Sequence, residues 1–196
     1  MKVSTGASMS LDGYVSGPGE SGFEHLFNWY ENGDVEMPTG NPDMTFRLTR
    51  PSFEHQKAFL DELGALVVGR KLFDMTSGWG GMHPLQVPTV VLTHNPPEGW
   101  ADNKWFAFDT DGIESAIAKA HELGGGQTVG LNSGTIASQA LDAGLLDEVW
   151  IDLVPVLLGG GTPYFSQLGT APVVLEGPLE SVQGNRVTHL RYKVKK

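Results

Sequence analysis

The sequence predicts an α/β domain with a mainly parallel central sheet and helices on both faces. Three observations carry this. Short, almost continuously apolar strands alternate with amphipathic helical stretches through the middle of the chain, as buried parallel strands do. The strands run into Gly69, Thr93 and Asn132, the small or polar residues that open a following turn or helix. Two longer segments joined by Gln183-Gly184-Asn185 read as a terminal antiparallel hairpin. With 196 residues a single domain spanning 1–196 is expected, and a chain of this size buries roughly 70% of its unfolded surface without a disulfide or metal staple.

In order along the chain, Val3 to Met9 is the first strand, and Asp12-Gly13 turns it. Gly17, Pro18 and Gly19 keep the next residues irregular. Phe23 to Tyr30 is aromatic-rich and makes one or two helical turns, whereas residues 31–51 show no dependable period. Phe53 to Leu63 has helical spacing, Ala65 to Val68 is a buried strand, and Gly69 to Asp74 begins another helix. Thr89 to Thr93 is a strand stopped by Asn95-Pro96-Pro97, and Lys104 to Phe108 is the next. Asp111 and Glu114 have the spacing of a capping box ahead of the apolar face Ile113, Ala116, Ile117 and Ala120. Thr128 to Leu131 is a strand, and Ser133 has the side chain to cap a helix whose Ile136, Ala137, Ala140 and Leu141 share a face and which Gly144 stops. In the strand that follows, Val149, Ile151 and Leu153 alternate with Trp150 and Asp152, so it has two different faces. Val173 to Val182 and Arg186 to Val194 form the terminal hairpin.

Lys plus Arg number 13 against 23 Asp plus Glu, a net charge of −10. That balance opposes binding along a nucleic-acid backbone but allows a small anion held by a few local cations. There is no cysteine, hence no disulfide, thiolate nucleophile or cysteine zinc site. Met1 to Ser10 is too short and polar for a secretory signal, and no apolar run approaches the ~20 residues of a membrane span. A cytoplasmic protein without membrane or nucleic-acid partners is the expectation. His25, His55, His83, His94, His121 and His189 are scattered, which reads as surface histidines and no metal site.

In an open parallel sheet, ligands collect where strands end and helices present free amides. Three strand ends are suited to this: Gly69-Arg70-Lys71, Thr93-His94-Asn95, and Asn132-Ser133-Gly134-Thr135. Each alone is also an ordinary turn, cap or solvated charge; together they favour an elongated anionic ligand. There is no Gly-x-Gly-x-x-Gly after the first strand, no nucleotide-hydrolase phosphate loop, and no Gly-x-Ser-x-Gly elbow. Asp12 is an acid in a glycine-flanked loop, read either as a turn former or as an acid beside the chemistry.

Ser8-Met-Ser-Leu-Asp-Gly-Tyr14, Gly69-Arg70-Lys71 and the segment from Gly144 to Phe165, with its triple glycine, resemble, in this order, the reductase family shared by dihydrofolate reductases and the reductase domain of the riboflavin-biosynthesis deaminase/reductase. The resemblance covers most of the chain, least so from Glu24 to Pro51. It implies a dihydrofolate-reductase-like fold with about eight strands, the last antiparallel. It also implies hydride transfer from NADPH to a pterin-like or pyrimidine-like heterocycle, a reductase acting on CH–NH or CH–OH groups in riboflavin biosynthesis, and a homodimer. By position it places Ser8, Val15 and Gly17 beside the nicotinamide. Arg70 then meets the adenosine 2′-phosphate, Lys71 and the helix amides the pyrophosphate, and Thr93, His94 and Asn95 the adenine ribose and its phosphate. Trp79 and His83, with aromatic residues of 23–30, line the substrate pocket, and Asp12 is the catalytic candidate.

Two departures bear on this. Asn132-Ser133 stands where most relatives have Gly-Gly, narrowing the phosphate approach. The helical carboxylate of true dihydrofolate reductases has no counterpart among Glu24, Glu31 and Asp34, so dihydrofolate is not the expected substrate. Without cysteine the zinc deaminase half is absent from this chain. The alternatives are a non-catalytic or weakly active nucleotide- or flavin-binding protein on the same fold, and a dimerisation module using the apolar strand from Val149 to Leu158.

Overall fold

The structure, a computed structural model, describes residues 1–196. Its elements run β1 (Val3–Ser10), β2 (Tyr14–Ser16), α1 (Phe23–Leu26), β3 (Val35–Pro38), β4 (Thr45–Leu48), α2 (Arg50–Glu62), β5 (Leu63–Gly69), α3 (Arg70–Met75), β6 (Thr89–Leu92), β7 (Phe106–Asp109), α4 (Ile113–Leu123), β8 (Thr128–Leu131), α5 (Thr135–Asp142), β9 (Glu148–Val154), β10 (Thr162–Pro163), β11 (Leu175–Gly184) and β12 (Val187–Val194).

Eight of the strands form one sheet in the order β11-β12-β9-β1-β8-β5-β6-β7. Pairing is parallel from β9 through to β7, and β12 is antiparallel to both β9 and β11. This is the expected mainly parallel sheet with an antiparallel hairpin at its end. One face packs on α4 and α5 through a core including Val67, Val129, Ile117, Ile136 and Val149. A further core joins Leu26, Trp29, Leu48 and Val187.

The structure corrects several local expectations. Residues 31–51 contain an antiparallel pair, with Val35 opposite Leu48 and Pro38 opposite Thr45. Two four-residue strands at the surface bury too few side chains to show a period. Asp111 does not cap α4: the cap position is Gly112, without a side-chain bond. The Asp111 N–H instead donates to Asp109 Oδ1 at 3.0 Å, and Ser115 Oγ donates to Asp109 Oδ2 at 3.0 Å. Ser133 does not cap α5 either; Gly134 holds that position at φ 76°, ψ −134°, a region closed to side chains. The apolar strand β9 is flanked by β1 and β12, so it offers no free edge for dimerisation.

The turn after β1 is fastened to the triple glycine. Asp12 Oδ1 accepts from Ser10 Oγ at 2.6 Å and from Leu158 N–H at 3.1 Å, and Oδ2 accepts from Gly159 N–H at 2.7 Å. These donors, Ser10 first, hold the carboxyl down at about 2. Asp12 is exposed and its carboxylate is occupied with the loop, as the turn-forming one of its two readings requires. β10 then pairs with β2, Thr162 opposite Ser16. The approach is so close that a Cβ on Gly161, at φ 115°, would lie 2.0 Å from the Ser16 carbonyl oxygen.

Two outcomes are expected. Gly161→Ala combines backbone strain with a backbone clash and should lower stability by about 2–3 kcal/mol or more, read as a lower urea midpoint. Asp12 has a folded-state pKa below its unfolded one, so its contribution is complete above about pH 4 and fades as pH falls toward about 2. The stability difference between wild type and Asp12→Asn should therefore be constant at neutral pH and shrink across that acid window.

Candidate functional site

Because β1, β8, β5 and β6 are parallel neighbours, their carboxyl ends meet at one edge of the sheet. There a cleft of ≈ 480 Å³ opens. Gly6, Ala7, Tyr30, Phe59 and Leu85 also line an inner compartment of ≈ 110 Å³ that reaches His55, Gln56, Trp150 and Asp152.

At the outer end the strand-end residues divide into those on the cleft and those behind it. Ser8, Val15, Gly69, Lys71, His83 and the run Asn132-Ser133-Gly134-Thr135 line it. Asn132 does not project into the phosphate approach. Its Oδ1 accepts the Gly69 N–H at 3.0 Å and its Nδ2 donates to the Ser133 carbonyl at 2.9 Å, so the side chain stitches β5 to the β8–α5 turn. The first amides of α5, from Thr135 on, have no carbonyl partner within the helix. Lys71 pairs with Glu20 across the cleft mouth.

Arg70, Thr93, His94 and Asn95 lie outside the lining. Arg70 Nε donates to Asp74 at 2.7 Å and Nη1 donates to the Asn95 carbonyl, which Thr93 Oγ1 also meets at 3.2 Å. They form an adjoining rim, with His94 exposed beside them. Gly17 sits behind the wall, its N–H donating to the Ser21 carbonyl at 2.8 Å. Trp79 supports the wall: it stacks on Phe106 and meets His83 edge-on, with ring centroids 4.4 Å apart. Burial pushes His83 down to about 4, so its ring is neutral at neutral pH. Phe23, Phe27 and Tyr30 bring the aromatic 23–30 segment to the cleft.

Around Asp152 in the wall of the inner compartment stand groups that sequence spacing could not unite. Ser8 on β1, Asp152 on β9 and His189 on β12 are register partners and form a row across three strands. Asp152 Oδ1 lies 2.7 Å from His189 Nδ1, and His189 Nε2 lies 2.8 Å from Ser52 Oγ. Gln56 Nε2 donates to Asp152 Oδ2 at 3.3 Å, and Trp29 Nε1 donates to Ser8 Oγ at 3.0 Å. His55 adds a second imidazole, stacked on His189 at 4.4 Å and 23°. His55 and His189 are therefore buried, not surface histidines.

Ligand atoms of His55, Asp152 and His189 lie within 4.8 Å of one another. The in-plane lone pairs of two near-parallel rings do not converge on one ion, so the cluster is arranged for hydrogen bonding. Ser52, His189 and Asp152 stand in the order of a hydrolase triad, yet Ser52 is 1% exposed. A Cβ on Gly184 would come within 2.4 Å of its Oγ, so no acyl group can reach it. Glu24, Glu31 and Asp34 are all exposed, and Asp152 is the carboxylate that lines the inner compartment.

Comparison with solved structures gives the same fold at low identity. A protein from Shewanella sp. PV-4 assigned to riboflavin biosynthesis is 22% identical with a TM-score of 0.71, each chain covered completely. The diaminohydroxyphosphoribosylaminopyrimidine deaminase/5-amino-6-(5-phosphoribosylamino)uracil reductase of Thermotoga maritima is 11% identical with a TM-score of 0.63, over 99% of this chain and 56% of that one. Dihydrofolate reductase from Enterococcus faecalis, complexed with NADP(H) and RAB-propyl, is 15% identical with a TM-score of 0.55, over 100% of this chain and 97% of that one. No curated protein matches in sequence. The pattern of the RibD C-terminal domain matches residues 1–182, and the chain belongs to that family.

Proposed function

We propose that the protein is an NADPH-dependent reductase that delivers hydride to a pyrimidine-like or pterin-like heterocycle. The observation that carries this reading is a cleft and an adjoining compartment that share five wall residues and differ in chemistry. The outer end presents helix amides and Lys71, groups that hold phosphates. The inner end is a small aromatic-walled chamber with a carboxylate, groups that hold a flat ring with N–H donors.

The residues present fit the cofactor. Asn132 is turned into the seam between strands and leaves the α5 amides open. Gly134 brings backbone to the surface with no side chain of its own. In this reading Lys71 and the α5 amides hold the pyrophosphate, Arg70 at the rim meets the 2′-phosphate, and Ser8 and Val15 border the nicotinamide. The nicotinamide supplies the hydride; the protein supplies orientation and electrostatics. Membership of the RibD C-terminal domain family supports a riboflavin-biosynthetic substrate in the cytoplasm. A homodimer belongs to the same reading.

A second reading, a weakly active nucleotide- or flavin-binding protein, draws on the acids that already occupy both cations: Glu20 on Lys71 and Asp74 on Arg70.

Calorimetric titration of NADPH into the apo protein separates the two. Binding followed by NADPH oxidation across a panel of aminouracils and pterins supports the reductase; no heat at about millimolar cofactor overturns it. A heterocycle released from the purified protein, without NADPH oxidation, favours the second reading. Lys71→Ala should weaken NADPH about tenfold, the loss of one charge-assisted contact. Glu20→Gln should tighten it several-fold, because it frees Lys71, and both effects should diminish at high salt.

A further inference from the structure

Reduction of a C=N or C=O bond places hydride on carbon and a proton on the heteroatom, so a proton donor is needed beside the bound ring. Asp152, the carboxyl group lining it, is 6% exposed. Behind Asp152 lies a seam between α2 and β11 that reaches the surface through one side chain. His55, 2% exposed, spans the seam. Its Nε2 is 3.7 Å from Asp152 Oδ1, and its Nδ1 faces Glu180 Oε1 at 3.4 Å. Neither separation is a formed hydrogen bond, and Nδ1 is buried without a partner, which leaves the ring free to close either gap by a small rotation. Glu180 is 31% exposed at its side chain, so it meets water.

We propose that Glu180, His55 and Asp152 form a proton path from the surface of the terminal hairpin to the inner compartment, with Asp152 as the group that protonates the substrate. This rests on the reductase reading for its last step only. In that step the substrate, gaining hydride on carbon, would take a proton at its nitrogen or oxygen from Asp152, which receives that proton through His55 and returns to the carboxylate. Before it, Glu180 would take a proton from water and give it to His55 Nδ1 while His55 Nε2–H passes its proton to Asp152 Oδ1. Each turnover would thus consume one solvent proton, restore Asp152 and Glu180 as carboxylates and leave His55 as the Nδ1–H tautomer, which returns to the Nε2–H form by exchange with water before the next turnover.

The surroundings suit a relay. Burial lowers the His55 pKa, opposed by the Asp152 and Glu180 charges and reinforced by His189; a neutral imidazole offers one N–H and one lone pair on opposite edges. The charged and titratable groups around the path are Asp152 on β9, His189 and Arg191 on β12, Glu180 on β11, and Tyr30, whose hydroxyl stays protonated through burial and the Asp152 charge. His189, tied at both nitrogens to Asp152 and Ser52, is a positioning residue. It holds Oδ1 toward His55 and leaves Oδ2 on the Gln56 side of the compartment.

The test uses the apo protein first. With ¹⁵N-labelled protein, ring N–H exchange with water is measured by NMR at His55 and His189. Glu180→Leu should slow exchange at His55 about tenfold while leaving His189 unchanged, and the isosteric Glu180→Gln should slow it without altering the fold. Exchange at His55 that is indifferent to both variants, or that slows equally at His189, overturns the path. Once a substrate is in hand, Asp152→Asn should lower kcat about 10²-fold. Glu180→Leu should lower kcat and raise the solvent deuterium isotope effect with the cofactor KM unchanged. If NADPH fails to bind, the reductase reading falls, while the His55 exchange result still decides whether the path exists.

Discussion

A carboxylate buried in the face of a sheet must be supplied with hydrogen bonds or it costs several kcal/mol. Asp152 is that group here, and two elements meet to satisfy it. β12 brings His189 to one oxygen, α2 brings Gln56 to the other, and Ser52 on α2 closes the far side of the His189 ring. The hairpin β11–β12 is thereby tied to α2 as well as to β9, and Trp29 seats its ring edge against His189 at 5.0 Å. An isolated apolar residue at this position would leave α2 and the hairpin without a directional contact. The same polar cluster fixes the wall of the inner compartment.

The two ends of the cleft rest on different physics. The outer end combines strand termini, the first turn of α5 and Lys71 with the apolar side chains of Phe23, Phe27, Leu72 and Met75. Such groups suit a ligand whose recognition is by charge and shape. The inner end is side chains drawn from β1, α2 and β9, which suits discrimination by hydrogen-bond pattern. The Asp12 clamp connects them, because it holds the turn that presents Val15 and Ser16 to the cleft. Asp12 thus matters for the site without touching it.

Much of the architecture was legible in the sequence. Residues 113–123 and 128–131 show their periods plainly, since α4 and β8 bury continuous apolar faces. Two of the three strand ends, at Gly69 and Asn132, reach the cleft, because parallel strands bring their carboxyl ends to one edge, whereas Thr93 to Asn95 lie outside its lining. What failed was local and cap-related. Asp111 and Ser133 were read by residue type, yet backbone geometry decided their roles. The β3–β4 pair was missed because its strands are four residues long and half exposed.

The sequence by itself determined the strand–helix alternation, the antiparallel hairpin and the family, since these follow from side-chain periodicity and ordered local motifs. The carboxylate of the inner compartment was a different matter. Alternation put Asp152 and Trp150 on one face of β9, but nothing local could tell a solvated face from one covered by a helix. Only tertiary structure placed His55, Asp152 and His189 together. Their union depends on strand order and on a helix folding over the sheet, contacts between residues about a hundred positions apart that no local pattern encodes.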